Sequence, residues 1–199
     1  MKLYRPATVL IGVLFVLLGG LTRLLGPDQA LDDPTRQVVR GTVGQELRYG
    51  SSTVTVTRVR FARTFSSRPD DSGDKPVETD GSFVAVEYDV ARGPGDPNSN
   101  EVSLTTDEGT SYRPVTEGIL TGLTFPAPGF TQSGSFVFEV NPSDLTGLTL
   151  RITTSQVWTV LAQDLAIDLA VPDEGIAKEL VAGAAAEYLV RKPVTRAAS

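Results

Sequence analysis

The chain has no cysteine and no histidine, its one methionine is the first residue, and tryptophan occurs once, at Trp158. Each absence removes chemistry. Without Cys there is no disulfide, thiol nucleophile, thiolate metal site or cysteine for lipid attachment. Without His there is no Ser-His-Asp triad, no imidazole ligand and no imidazole proton shuttle. Positive charge is also scarce in the body of the chain: residues 41 to 171 carry 9 Lys plus Arg against 17 Asp plus Glu, a net of −8. Phosphate backbones need a positive face, so no nucleic acid is expected as partner. At 199 residues there is room for one domain of about 130 residues with appendages, enough to bury about two thirds of its unfolded surface without a covalent staple.

There is one long apolar run, Ala7 to Leu21, preceded by Lys2 and Arg5 and extended by Leu24 and Leu25 past Arg23. Residues 7–25 number nineteen, and a helix of that length reaches about 28 Å, close to the hydrocarbon thickness of a bilayer. Gly20-Leu21-Thr22 is the best candidate for a small-x-small cleavage site, and it is a poor one. The expectation is therefore a signal-anchor, a single transmembrane helix over residues 1–25 with its N-terminus inside the cell. The alternative is a cleaved signal peptide and a secreted protein. Residues 26–40, GPDQALDDPTRQVVR, read as a polar spacer.

From Gly41 the turn residues fall at the short spacing of an all-β domain. Gly81 to Val90, GSFVAVEYDV, alternates Val84, Val86, Tyr88 and Val90 with Glu87 and Asp89 opposite, the period of a half-buried central strand. Gly134 to Val140, GSFVFEV, repeats it with Phe136, Phe138 and Val140. Thr53 to Phe61 switches its apolar phase near Thr57-Arg58, which a β-bulge explains. Asp107-Glu108-Gly109 reads as a hairpin turn leading to Tyr112. Further strands are expected at Leu148 to Ile152, Val157 to Leu161 and Leu165 to Val171, giving about eight in two packed sheets over residues 41–171. In residues 172–199, Asp173 is a helix N-cap, Ile176, Leu180 and Ala184 form one stripe of a short helix, and the tail from Tyr188 is extended.

The segments GTVGQELRYGSSTVTVTRVRFA, GSFVAVEYDV, TTDEGTSYRP and PAPGFTQSGSFVFEVNPSDLTGLTL together resemble the telokin-like, immunoglobulin-like domain of unknown function. That family occurs in exported and membrane-anchored proteins of Gram-positive bacteria and is related to a secreted mycobacterial antigen. Asp107, Gly109 and Tyr112 fill its hairpin positions, and Pro128-Gly129 precedes Phe136 and Phe138. The resemblance implies an immunoglobulin-like antiparallel β-sandwich outside the cytoplasm and carries over no catalytic residue. With the paired Cys missing, Trp158 is not the tryptophan that packs on a sandwich disulfide.

Asp70, Asp71, Asp74, Glu78 and Asp80 crowd one loop, but counted from Asp70 the twelfth position is Gly81, not the Glu of an EF-hand. A solvated acidic loop is expected, with no metal and no cofactor. Glu87 and Asp89 have the spacing of a carboxylate pair without an aromatic pocket around them, and Lys75 among serines sits in a loop too polar to bury it. The expectation is no enzyme. The segment from Pro114 to Gln132 carries Ile119, Leu120, Leu123, Phe125 and Phe130 among Gly and Pro, and it is the expected partner-binding surface; plugging one end of the sandwich is the competing role.

Overall fold

Two sheets face each other across one core in a computed structural model that describes residues 36–66, 75–95, 97, 99–115, 122–155, 162–190 and 192–198. The strands are β1 (Arg36–Thr42), β2 (Glu46–Tyr49), β3 (Ser52–Ser66), β4 (Val77–Ala91), β5 (Asn100–Thr105), β6 (Ser111–Tyr112), β7 (Phe130–Val140), β8 (Thr149–Thr154), β9 (Ala162–Asp168), β10 (Ala185–Leu189) and β11 (Val194–Ala197). Among the described residues a single α-helix, α1 (Glu174–Ala182), is formed, and it follows β9. The first sheet runs β1-β9-β8-β5-β6 and the second β10-β3-β4-β7-β11, with β2 also paired to β3. The result is an all-β sandwich with one short helix.

The expected central strand is central. β4 pairs with β3 on one side and β7 on the other, and Val84, Val86, Tyr88 and Val90 face the core. Opposite them stand Leu104, Leu150, Ile152, Leu165 and Ile167 of the first sheet, all at most 1% exposed. Each such side chain contributes about 1.5–3 kcal/mol through its burial, so this dry layer is the main source of stability. The β3–β4 register shifts between Val56 and Arg58, where the change of apolar phase called for a bulge. Gly50, at φ +63°, makes the tight turn from β2 to β3, and Gly109, at φ +86°, makes the β5–β6 hairpin.

Several features differ from the sequence reading. Eleven strands are formed among the described residues rather than about eight, and two pairings are parallel: β1 with β9 and β10 with β3. The sheets are therefore mixed, not antiparallel throughout. β1 begins at Arg36, inside the stretch read as spacer, and β10 and β11 arise in the tail read as merely extended. These three are short strands completed by edges already present, and they carry little periodicity of their own. The strand expected at Leu165 to Val171 runs Ala162–Asp168. The one expected at Val157 to Leu161 lies outside the described residues.

The helix is capped by Asp173, whose Oδ1 accepts the Ile176 N–H at 2.9 Å. Its buried residue is Ala177, with Leu180, Val181 and Ala184 packed on the core, so Leu180 and Ala184 of the expected stripe face inward and Ala177, not Ile176, begins it. Residues 1–25, read as a transmembrane helix, lie outside the described residues. Among the described residues no helix is long and apolar enough to cross a membrane.

A second apolar cluster lies apart from the main core: Ala62 and Phe65 of β3, Phe83 and Ala85 of β4, Val137 of β7 and Tyr188 of β10. Phe65 and Phe83 meet edge to face at 4.8 Å between ring centres. Phe83, Ala85 and Val137 alternate with the inward-facing residues of β4 and β7, so they belong to the sheet's outer face. The C-terminal tail and Val115 close over them.

Candidate functional site

The expected partner surface is divided by the fold. Leu123 is 7% exposed, held by Asn100, whose Oδ1 accepts the Leu123 N–H at 2.6 Å while its Nδ2 donates to the Leu123 carbonyl at 3.2 Å. Phe125 packs on the core with its ring parallel to Tyr49, 6.1 Å between centres. Phe130 is 42% exposed at the start of β7. Ile119 and Leu120 lie outside the described residues. Two of the three described residues thus close one end of the sandwich, and Phe130 stands alone.

A polar hollow lies on the outer face of the second sheet, against the tail. β4 contributes Glu87 and Asp89, β7 contributes Ser133, Gly134 and Ser135, and Tyr188, Lys192, Val194 and Arg196 form the wall; the volume is about 410 Å³. A second hollow of about 680 Å³ shares Glu87, Tyr188, Lys192 and Val194 and extends toward Arg58 and Arg60 of β3 and Leu189 and Val190 of the tail. Both volumes fall in the range of small-molecule sites.

On the opposite, core-facing side of the same sheet Gly134 makes room for Tyr88. It pairs across the strands with Tyr88, and a Cβ there would stand 2.7 Å from the Tyr88 hydroxyl and 2.8 Å from its Cζ. Only a residue without a side chain lets the ring lie across this position. The ring stacks on Phe136 at 4.9 Å, and burial pushes the hydroxyl up to about 12. Tyr88 is therefore a neutral donor throughout the physiological range. On the outer face, Ser135 Oγ is closed off from solvent and has no hydrogen-bond partner.

The two carboxylates of β4 are already engaged. Glu87 accepts the Tyr188 hydroxyl at 3.3 Å; Asp89 accepts the Ser133 hydroxyl at 2.5 Å and pairs with Arg196 at 2.8 Å. They orient the tail, and each keeps further lone pairs. Of the acidic loop, Asp70, Asp71 and Asp74 lie outside the described residues, while Glu78, Asp80 and Lys75 are exposed. Among the described residues no three acidic side chains converge as a metal site would require. Sequence reasoning missed the hollow because its wall comes from the tail, whose strands carry little periodicity of their own.

No family model matches the chain, and no curated protein matches it. Among solved structures it is similar to an uncharacterised β-sandwich protein from Clostridium difficile 630, at 10% identity and a TM-score of 0.40, over 66% of this chain and 95% of that one.

Proposed function

We propose that this protein is a non-enzymatic binding or accessory module, an immunoglobulin-like sandwich held outside the cytoplasm at the cell membrane by residues 7–25. The observation that carries the binding role is the paired hollow beside the tail. Side chains from β3, β4, β7 and the tail converge there, with Glu87, Asp89, Lys192 and Arg196 around a space of small-molecule size. The lack of His and Cys and the engagement of Glu87 and Asp89 by the tail support a binding rather than a catalytic role. The run from Ala7 to Leu25 supports the tether.

The test is purification of the full-length protein from its own membranes in mild detergent after crosslinking, with intact mass and partner identification on one sample. A full-length mass is expected, together with a partner crosslinked through the tail or β4. A mass beginning after residue 22 overturns the tether in favour of a secreted protein.

A further inference from the structure

Exposed apolar side chains and unpaired cations gather at one place, the larger hollow between β3 and the tail. Four large apolar side chains are well exposed among the described residues, and two of them, Leu189 at 49% and Val194 at 59%, stand on its wall beside Val190. Single exposed apolar groups need no explanation. Several lining one space of about 680 Å³ form a surface that a ligand can cover.

The facing wall is cationic. Val59 and Phe61 of β3 turn to the core, so Arg58 and Arg60 rise from the outer face, about 7 Å apart along the strand. Lys192 joins them from the tail. Among the described residues none of these three head groups makes an ion pair or a hydrogen bond. The two carboxylates of the hollow are engaged by hydroxyls instead: Glu87, directly across from Arg58, accepts from Tyr188 at 3.3 Å, and Glu187 accepts from Ser66 at 2.7 Å. Three free cations thus meet in one hollow of a body that, over residues 41–171, carries 9 Lys plus Arg against 17 Asp plus Glu. Two neighbouring guanidinium forks suit the paired oxygens of a carboxylate or phosphate.

A bare inorganic anion uses the cations and leaves the apolar wall uncovered, and an uncharged hydrocarbon does the reverse. From this we infer that the hollow binds an anionic amphiphile, an acyl chain ending in a carboxylate or phosphate ester, with the anion on Arg58, Arg60 and Lys192 and the chain along Leu189, Val190 and Val194. Such a molecule comes as a free fatty acid or as one lipid of a bilayer. The inference rests on the reading of the protein as a binding module and names the class of its ligand.

The test is photolabelling of the full-length protein with nanodiscs of neutral phosphatidylcholine, followed by mass spectrometry of the labelled peptides. Three diazirine probes of one chain length are compared: a fatty acid, the matching fatty alcohol, and a phosphatidic acid carried in the bilayer. Residues 58–60 and 189–194 are expected to be labelled by the fatty acid, the phosphatidic acid or both, and which of them labels tells a free acid from a bilayer lipid. The alcohol is expected to label about fivefold less, and raised salt to weaken labelling by the acids. Arg58→Gln with Arg60→Gln is expected to cut labelling by the acids about tenfold at an unchanged melting temperature, since both side chains are exposed. Lys192→Gln, outside both tail strands, serves as a second variant and is expected to weaken labelling without affecting folding. Equal labelling by the alcohol, or labelling by the acids that survives both variants, removes the cations from the site and overturns the ligand class. Inorganic phosphate that protects the hollow as well as octanoate does overturns the part given to the chain. An unlabelled hollow through which a protein partner is crosslinked overturns the amphiphile and leaves the binding reading standing. An unlabelled hollow with no partner overturns both.

Discussion

Arg36, the first residue of β1, places its guanidinium 3.1 Å from the carboxylate of Asp164 in β9, and the Asp164 side chain is 4% exposed. The same guanidinium reaches the Thr154 carbonyl at 2.5 Å, while the other Asp164 oxygen accepts the Thr154 N–H at 2.9 Å. The Thr154 hydroxyl donates to the Gln163 carbonyl at 2.9 Å, so the Tyr49 hydroxyl, 2.8 Å away, donates to it. One buried network thus ties β1, β8 and β9 of the first sheet to β2 of the second. Removing one member of a buried pair leaves the other uncompensated. Asp164→Ala is expected to cost about 3 kcal/mol in urea unfolding, the low end for such pairs because Arg36 retains some water. The Arg36→Met, Asp164→Leu double variant is expected to cost less than the sum of the two single changes.

Burial makes the Tyr88 hydroxyl titrate near 12 in the folded protein against about 10 unfolded. Between these values the unfolded chain has lost a proton that the folded chain keeps, so stability falls as pH rises. The contribution is intact below pH 10 and lost by about pH 12, at most about 3 kcal/mol for a shift of this size. Tyr49, also raised chiefly by burial, acts in the same direction. Tyr88→Phe is expected to flatten the alkaline limb of a denaturation series without moving the neutral plateau by more than about 1 kcal/mol.

Phe125 and Phe130 are five residues apart and have different expected costs. Phe125→Ala removes a ring stacked on Tyr49 and is expected to lower stability by about 2 kcal/mol, less than a full core Phe because its burial is partial. Phe130→Ala, at an exposed strand end, is expected to stay within about 0.5 kcal/mol. Equal losses in thermal unfolding would show that both rings belong to the core.

The tail is structural as well as site-forming. A chain ending at Gly183 loses β10 and β11 and uncovers Phe83 and Val137, both 0% exposed in the folded protein. That variant is expected to bind a hydrophobic dye and to associate through the bare β3 and β7 edges. Tyr188→Ala, read by the same dye and by urea unfolding, is expected to cost about 3 kcal/mol through lost packing on Phe65 and Phe83.

Much of the fold was legible because period-two patterning is local. Val84, Val86, Tyr88 and Val90 face the core as the alternation requires, the bulge falls between Val56 and Arg58, and Asp173 caps the helix. The outer face of β4 was only half legible. Glu87 and Asp89 marked it as solvent-facing, but Phe83 and Ala85 on that same side are covered by the tail. No local pattern in AAEYL or VTRA announces this, since both strands form only on edges supplied by β3 and β7. Of the helix stripe, Leu180 and Ala184 pack on the core as the spacing requires, while Ala177 and Val181 join them and Ile176 does not, because the face that packs is wider than a single i, i+4 row.

Of the candidate site, Glu87 and Asp89 were visible as residues and invisible as a place. Composition and alternation, which are properties of the chain itself, determined the sandwich, its acidic character and the chemistries lacking Cys and His. How Phe83 and Ala85 on the outer face of β4 come to be covered, why Gly134 must lack a side chain beneath Tyr88, and how Lys192 and Arg196 come to stand opposite Glu87 and Asp89 were decided by tertiary structure. Those relationships join residues about fifty to a hundred positions apart, and only the pairing of the tail with both edges of the sheet brings them together.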